Sequence, residues 1–212
     1  MPENPAEALR EGRFTQVPVL IGTNLDEGRL FANEVKTMDR YRKETIWMYG
    51  DEGQRVLDRY PVGPEGPAYA IAANFTDQRF ACPSQALRRV LSAHVPVWGY
   101  EFADRQAPFV LPDWVVGLDL GAYHASELAY VFGTSWVFAD VKRFTPAQKA
   151  LSERMQRLWA AFGTEGFAAE WPRVEGAGPV RVFAPEGDRM DDDFFARHHC
   201  AFWDGTPFGA VH

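Results

Sequence analysis

The run QVPVLIGTNLDEG, residues 16–28, decides how this chain is read. Val17, Val19, Leu20 and Ile21 form a short aliphatic, β-branched stretch that ends at Gly22 and a polar turn, the pattern of a fully buried strand. A second run, VPVWGYEFA at 95–103, combines valine with aromatics and predicts another buried strand. Between them, Met38, Tyr41, Ile46 and Trp47, then Val56, Leu57 and Tyr60 before Pro61, recur at roughly helical spacing and predict two surface helices. After the turn residues VGPEGP (62–67), positions 69–94 read as a pair of helices interrupted near Cys82-Pro83. Strands separated by helical stretches predict an α/β fold with a mostly parallel sheet, whose sites collect where strand C-termini meet their loops. Glu27 directly follows the first strand and His124 lies in the loop after the second, so both are expected to face one crevice.

Beyond the second strand, positions 104–133 form a long irregular connection with two prolines and several aromatics, and such loops in compact domains tend to carry function. Residues 145–166 predict the clearest helix. Thr145 is its N-cap, Pro146 sits in its first turn, Leu151, Met155, Leu158, Trp159 and Phe162 form its apolar stripe, and Gly163 or Gly166 stops it. The tail holds the turn WPRV, an extended piece VRVFA and the closing RHHCAFWDG, and no internal repeat or low-complexity tract is present.

The 212 residues suffice for one large domain, and 46% hydrophobic with 24% charged residues places the chain among ordinary globular proteins rather than disordered ones. With 29 acidic against 22 basic side chains, the net charge of -7 argues against nucleic acid or an anionic membrane as partner. No window reaches the 18 or so consecutive apolar residues of a membrane helix, and MPENPAEALREGRF lacks the layout of an export signal. The cysteines, Cys82 and Cys200, have no zinc-ligand spacing, which leaves a long-range disulfide or two buried thiols. Metal binding through His198, His199 and the acidic run 191–193 is the weaker reading of those residues, and a solvated tail is the expectation.

A carboxylate that fixes the tautomer of an imidazole, and stabilises it once protonated, makes histidine a competent base toward a hydroxyl nucleophile. Spacing alone does not assign that role to Glu27 and His124. Resemblance does: VPVLIGTNLDEGRLF, ACPSQALRR, GAYHASELAYVFG, LSERMQRLWAAFGTEGFAAEWPRV and HHCAFWDG occur in the order found in the C-terminal part of type B carboxylesterases. That family includes bacterial para-nitrobenzyl-type esterases and the cholinesterases, and the resemblance implies an α/β-hydrolase fold. It further implies Glu27 as the triad acid and His124 as the base. Ser126 and Glu127 would support the histidine loop, and Trp114, Phe109 and Tyr130 would be candidates for the pocket wall. Where members of the family carry a long-range disulfide, Cys82 and Cys200 hold the matching positions, which would imply an oxidising compartment; free thiols would imply the cytoplasm.

The resemblance also implies a serine in a G-x-S-x-G elbow and a Gly-rich oxyanion loop, both upstream of the DEG segment; neither motif occurs in these residues. Ser135 sits in GTSWV, after the histidine, and fails both the motif and the chain order. The expectation is therefore a partial domain over 1–212: the C-terminal segment of a carboxylic ester hydrolase, inactive alone, needing an N-terminal half that carries the nucleophile and no cofactor. The alternative is a non-catalytic, cholinesterase-like interaction module.

Overall fold

In the computed structural model, which describes residues 3–112, 116–168, 171–176 and 178–209, the first two expected strands form over Val19–Asn24 (β1) and Val97–Phe102 (β2). They pair in parallel, with Asn24 opposite Phe102 at their C-terminal ends. The extended piece near the C-terminus becomes Val180–Phe183 (β3), parallel to β2, and turns back into Arg189–Asp191 (β4), which pairs antiparallel to β3. The sheet order is β1-β2-β3-β4.

The strands differ in burial. Val97, Trp98 and Phe102 of β2 are buried, as expected of a strand covered on both faces. β1 departs from expectation: only Thr23 and Asn24 are buried and the rest is partly buried. Its neighbour among the described residues is β2 alone, so it runs along the edge of this sheet. The closing strand β4 was not legible locally, because RMD has no apolar alternation and is held by its register on β3.

Five helices follow the sequence pattern, Met38–Tyr49 (α2), Gly53–Arg59 (α3), Pro67–Thr76 (α4), Cys82–Leu91 (α5) and Pro146–Glu165 (α7), while Pro5–Arg10 (α1), Glu127–Phe132 (α6, within the stretch expected to be irregular), Phe194–Arg197 (α8) and Cys200–Asp204 (α9) were not expected. No break separates α4 from α5. The chain passes through a π-helical turn at Asp77–Ala81, and Pro83 falls in the first turn of α5, where no intrahelical N–H is needed. Helix α7 carries the expected Thr145 cap as a full capping box with Gln148, and it is Gly166, in the left-handed conformation, that ends it. Its apolar stripe lies on the sheet: Leu151 and Met155 are fully buried, Phe162 meets Trp98 at 5.5 Å between ring centroids, and Trp159 meets Tyr100 at 5.0 Å.

A second cluster lies beside the π turn. Cys82 and Cys200 are joined in a disulfide with Cα atoms 5.2 Å apart, tying α5 to α9 among Tyr49, Val56, Tyr60 and Trp203. No described helix is long and apolar enough to cross a membrane.

Candidate active site

Glu27 opens a one-turn 3-10 helix, Glu27–Phe31, immediately after β1. Its neighbour Gly28 explains how the turn can sit where it does: a Cβ there would lie 2.1 Å from the Ala72 carbonyl oxygen of α4. The Gly28 N–H donates instead to Thr76 Oγ1 at 2.8 Å, and Thr76 in turn donates to the Ala72 carbonyl. The Glu27 side chain is buried and both its oxygens are used. Oε1 accepts the Asn24 backbone N–H at 2.8 Å, and Oε2 lies 2.6 Å from Nδ1 of His124.

His124 reaches this position on a loop bound to the acid's own loop. The Asp26 N–H donates to the Ala122 carbonyl, the Ala122 N–H donates to Asp26 Oδ2, and Asp26 is neutralised by Arg29 at 2.9 Å and Arg105 at 3.0 Å. Thus the two neighbouring acids divide the work: Asp26 ties the loops together and Glu27 meets the imidazole. The chain then turns sharply through Ala125, which holds a left-handed φ of 66° without being glycine, and the Ser126 N–H closes the turn on the Tyr123 carbonyl.

The hydrogen bond to Glu27 raises the His124 pKa above the ordinary imidazole value; partial burial opposes this, and the charges of Glu27 and Glu127 add to it. With Nδ1 on the carboxylate, no described residue bonds Nε2, and the side chain remains 42% exposed. This arrangement can accept a proton at Nε2 and stabilise the resulting imidazolium through Nδ1.

Aromatic rings flank the imidazole. Phe80 lies 5.0 Å and Phe31 5.5 Å from it between centroids, and Phe75 closes the group at 5.4 Å from Phe31 and 6.0 Å from Phe80. Phe31 is about half exposed. Sequence reasoning missed all three as site residues. Phe31 was in view in DEGRLF, but Phe80 reaches the histidine from the π turn, which has no local signature.

The lining candidates named from sequence fall elsewhere. Trp114 lies outside the described residues. Phe109 packs edge-on against Tyr123 at 5.2 Å and stacks on Phe138 at 5.7 Å. Tyr130 is fully buried, its OH donating to Asp104 at 2.5 Å and its ring stacked on Phe144 at 4.3 Å, so it is enclosed in the core. Ser126, buried, is the N-cap residue of α6, and Glu127 is the first residue of that helix, where burial pushes its carboxyl pKa up despite a hydrogen bond from Asn24. Ser135 donates to Asp140 at 3.0 Å and accepts the Val141 N–H, a turn-capping role.

The C-terminal histidine pair corrects the expectation of a solvated tail. His198 is buried, with Nδ1 2.6 Å from Asp77 Oδ1 and Nε2 2.8 Å from Glu101 Oε1. Asp77 also accepts the Tyr60 OH at 2.8 Å, and Arg197 bridges Glu101 and Asp191. The tail folds back because charged partners on β2, β4 and the π turn await it, which no local pattern in RHHC reveals. Among the described residues no group of three or more His, Cys, Asp or Glu is arranged to hold a metal ion.

Known proteins share this architecture. Residues 1–203 match the Carboxylesterase family. The chain is 30% identical over 196 residues to fumonisin B1 esterase of Sphingopyxis macrogoltabida, covering 85% of this chain and 34% of that protein. It is also 30% identical over 189 residues to para-nitrobenzyl esterase of Bacillus subtilis, covering 81% and 35% respectively. A solved PNB esterase superposes with a TM-score of 0.70 at 25% identity, over 94% of this chain and 41% of that one. The chain thus spans about a third of the length of these curated relatives. A family match over nearly the whole chain, an α/β-hydrolase neighbour and a paired glutamate and histidine on the loops after β1 and β2 agree: this chain belongs to the carboxylesterase family.

Proposed function

We propose that this chain supplies the acid and base of a serine-dependent carboxylic ester hydrolase, with the nucleophile contributed by a segment outside these 212 residues. The observation that carries the reading is the 2.6 Å contact between Glu27 and Nδ1 of His124, with Nε2 bonded by no described residue. His124 Nε2 takes the proton of the attacking hydroxyl, Glu27 stabilises the imidazolium, and the same proton passes to the departing alcohol; a water activated by His124 then releases the acyl group. Phe31 and Phe80, beside the base, form the apolar wall against which a substrate's hydrocarbon part packs. Ser126 and Glu127 support the loop, and Phe109 packs against Tyr123, the residue before His124. The Cys82–Cys200 bridge favours an oxidising compartment. No step calls for a cofactor.

Acid and base without a nucleophile and oxyanion donors do not turn over an ester, because triad members act as a unit. The purified chain is therefore expected to hydrolyse a short-chain p-nitrophenyl ester no faster than buffer. Co-expression with the N-terminal portion of a para-nitrobenzyl-type esterase is expected to restore hydrolysis, which His124→Ala lowers by about 10⁶-fold. Turnover by the chain alone, lost on His124→Ala, would overturn the need for an outside nucleophile. Restored hydrolysis indifferent to His124→Ala would overturn the base assignment and favour a non-catalytic interaction module.

A further inference from the structure

The geometry points to Asn24 as a positioning residue that locks the acid-bearing loop and the base-bearing loop into one register; this rests on the reading of Glu27 and His124 as acid and base. Asn24 is the last residue of β1, is 1% exposed, and is held in place where the following N–H, that of Leu25, donates to the Phe102 carbonyl at 2.9 Å. Its own backbone N–H donates to Glu27 Oε1. Its side-chain Nδ2 donates to the Tyr123 carbonyl at 2.8 Å and to the Glu127 carboxylate, and lies 3.4 Å from Ser126 Oγ. One residue therefore grips the acid through its main chain and brackets the base through its side chain, on the residue before His124 and the residue three after it.

The chemistry of the amide explains why asparagine serves here. A single nitrogen bearing two N–H groups satisfies two acceptors a few ångströms apart; aspartate offers no donor, serine one, and glutamine displaces the nitrogen by a methylene. Tyr123 and Glu127 bring the acceptors to Asn24 from a loop roughly a hundred residues away, and burial makes each bond costly to leave unmade. The His124–Glu27 contact has little tolerance, since a shift of about 1 Å separates a positioned proton acceptor from a misplaced one. Asn24 touches neither the imidazole nor any reacting atom, so its effect passes through the loop that carries His124.

The test uses the full 212-residue chain, with histidine side chains labelled for NMR and both His124 and His198 titrated. In the unaltered chain His124 titrates above the ordinary imidazole pKa. Asn24→Leu, close in shape but without donors, is expected to bring it back toward that value, an approximately tenfold loss in the ratio of charged to neutral imidazole at fixed pH. His198, in its own cluster, is expected to titrate unchanged, which a merely structural loss would not spare. Glu127→Gln keeps an acceptor for Nδ2 and is expected to preserve the His124 Nδ1 proton signal. An Asn24→Leu titration identical to the unaltered one overturns the proposal. Should Asn24→Leu fail to fold, Asn24→Ser reads the same quantity: a partial return supports the proposal, and an unchanged titration overturns it. Glu27→Gln separates the two levels, because a His124 titration indifferent to that change sinks the acid–base reading itself.

Discussion

The chain places two histidines in charge clusters and uses them in opposite ways. His124 is 42% exposed, with one carboxylate, Glu27, on Nδ1 and no described partner on Nε2. His198 lies inside, with a carboxylate on each nitrogen and Arg197 beside it, 3.1 Å from Nε2. Burial lowers the pKa of His198, but the hydrogen bonds to Asp77 and Glu101 outweigh it and the value is raised. The pKa is raised at both sites, so a raised pKa does not distinguish the two roles. What separates them is the second nitrogen: open at His124, where a proton can be exchanged with a substrate, and spent at His198, where the imidazolium ties α8 to β2 and the π turn.

The comparison breaks most visibly under substitution. His198→Ala leaves Asp77 and Glu101 buried beside each other without their shared cation, and is expected to cost about 3–5 kcal/mol in urea unfolding. His124→Ala removes an imidazole that is 42% exposed and leaves the buried Glu27 carboxylate with the Asn24 N–H as its remaining partner, so it is expected to cost less, about 1–3 kcal/mol. Equal losses from the two variants would erase the distinction. Next in size is the bridge beside His198: replacing Cys82 and Cys200 by alanine opens a link across 118 positions and is expected to cost about 2–5 kcal/mol, read by the same unfolding curves.

Acidity sharpens the contrast further. Both folded-state values lie above the ordinary imidazole value of 6.5, so the stability each ion pair adds is complete below about pH 6.5 and is lost as pH rises through the raised value. Unfolding measured between neutral and alkaline pH is expected to show this loss in the unaltered chain and much less of it in a folded His198→Asn variant. Activity in a complemented enzyme runs the other way: it rises with pH as His124 loses its proton, so an acid optimum would contradict the base assignment. The smallest effect concerns the residue after each histidine, since Ala125 (φ 66°) and His199 (φ 52°) both hold left-handed backbone. Ala125→Gly relieves that conformation and is expected to gain up to about 1 kcal/mol in thermal unfolding, the entropy of glycine offsetting part of the relief.

Much of the frame was legible in the linear chain. Val19–Asn24, Val97–Phe102 and Pro146–Glu165 announce themselves through β-branched runs and a capped apolar stripe, signals that arise within a few residues. The resemblance to carboxylesterases then assigned Glu27 and His124, which the fold brings together. Other features resisted. RMD at 189–191 becomes a strand only by pairing with β3; Phe80 turns toward His124 only because a π turn adds a residue to the helix; Tyr130, read as pocket wall, is core because Asp104 and Phe144 enclose it.

By itself, the sequence determined β1, β2, the long helix α7, the family, and the placement of an acid and an imidazole on the loops that follow two adjacent strands. The tertiary structure decided which histidine keeps a nitrogen without a partner among the described residues and which is walled in, which of Asp26 and Glu27 meets the imidazole of His124, and that β1 lies at the edge of the described sheet. The reason is range: propensity and periodicity act over a handful of neighbours, whereas Glu27–His124 and Asp77–His198 join positions about a hundred residues apart, and such pairings exist only once the sheet has brought their loops together.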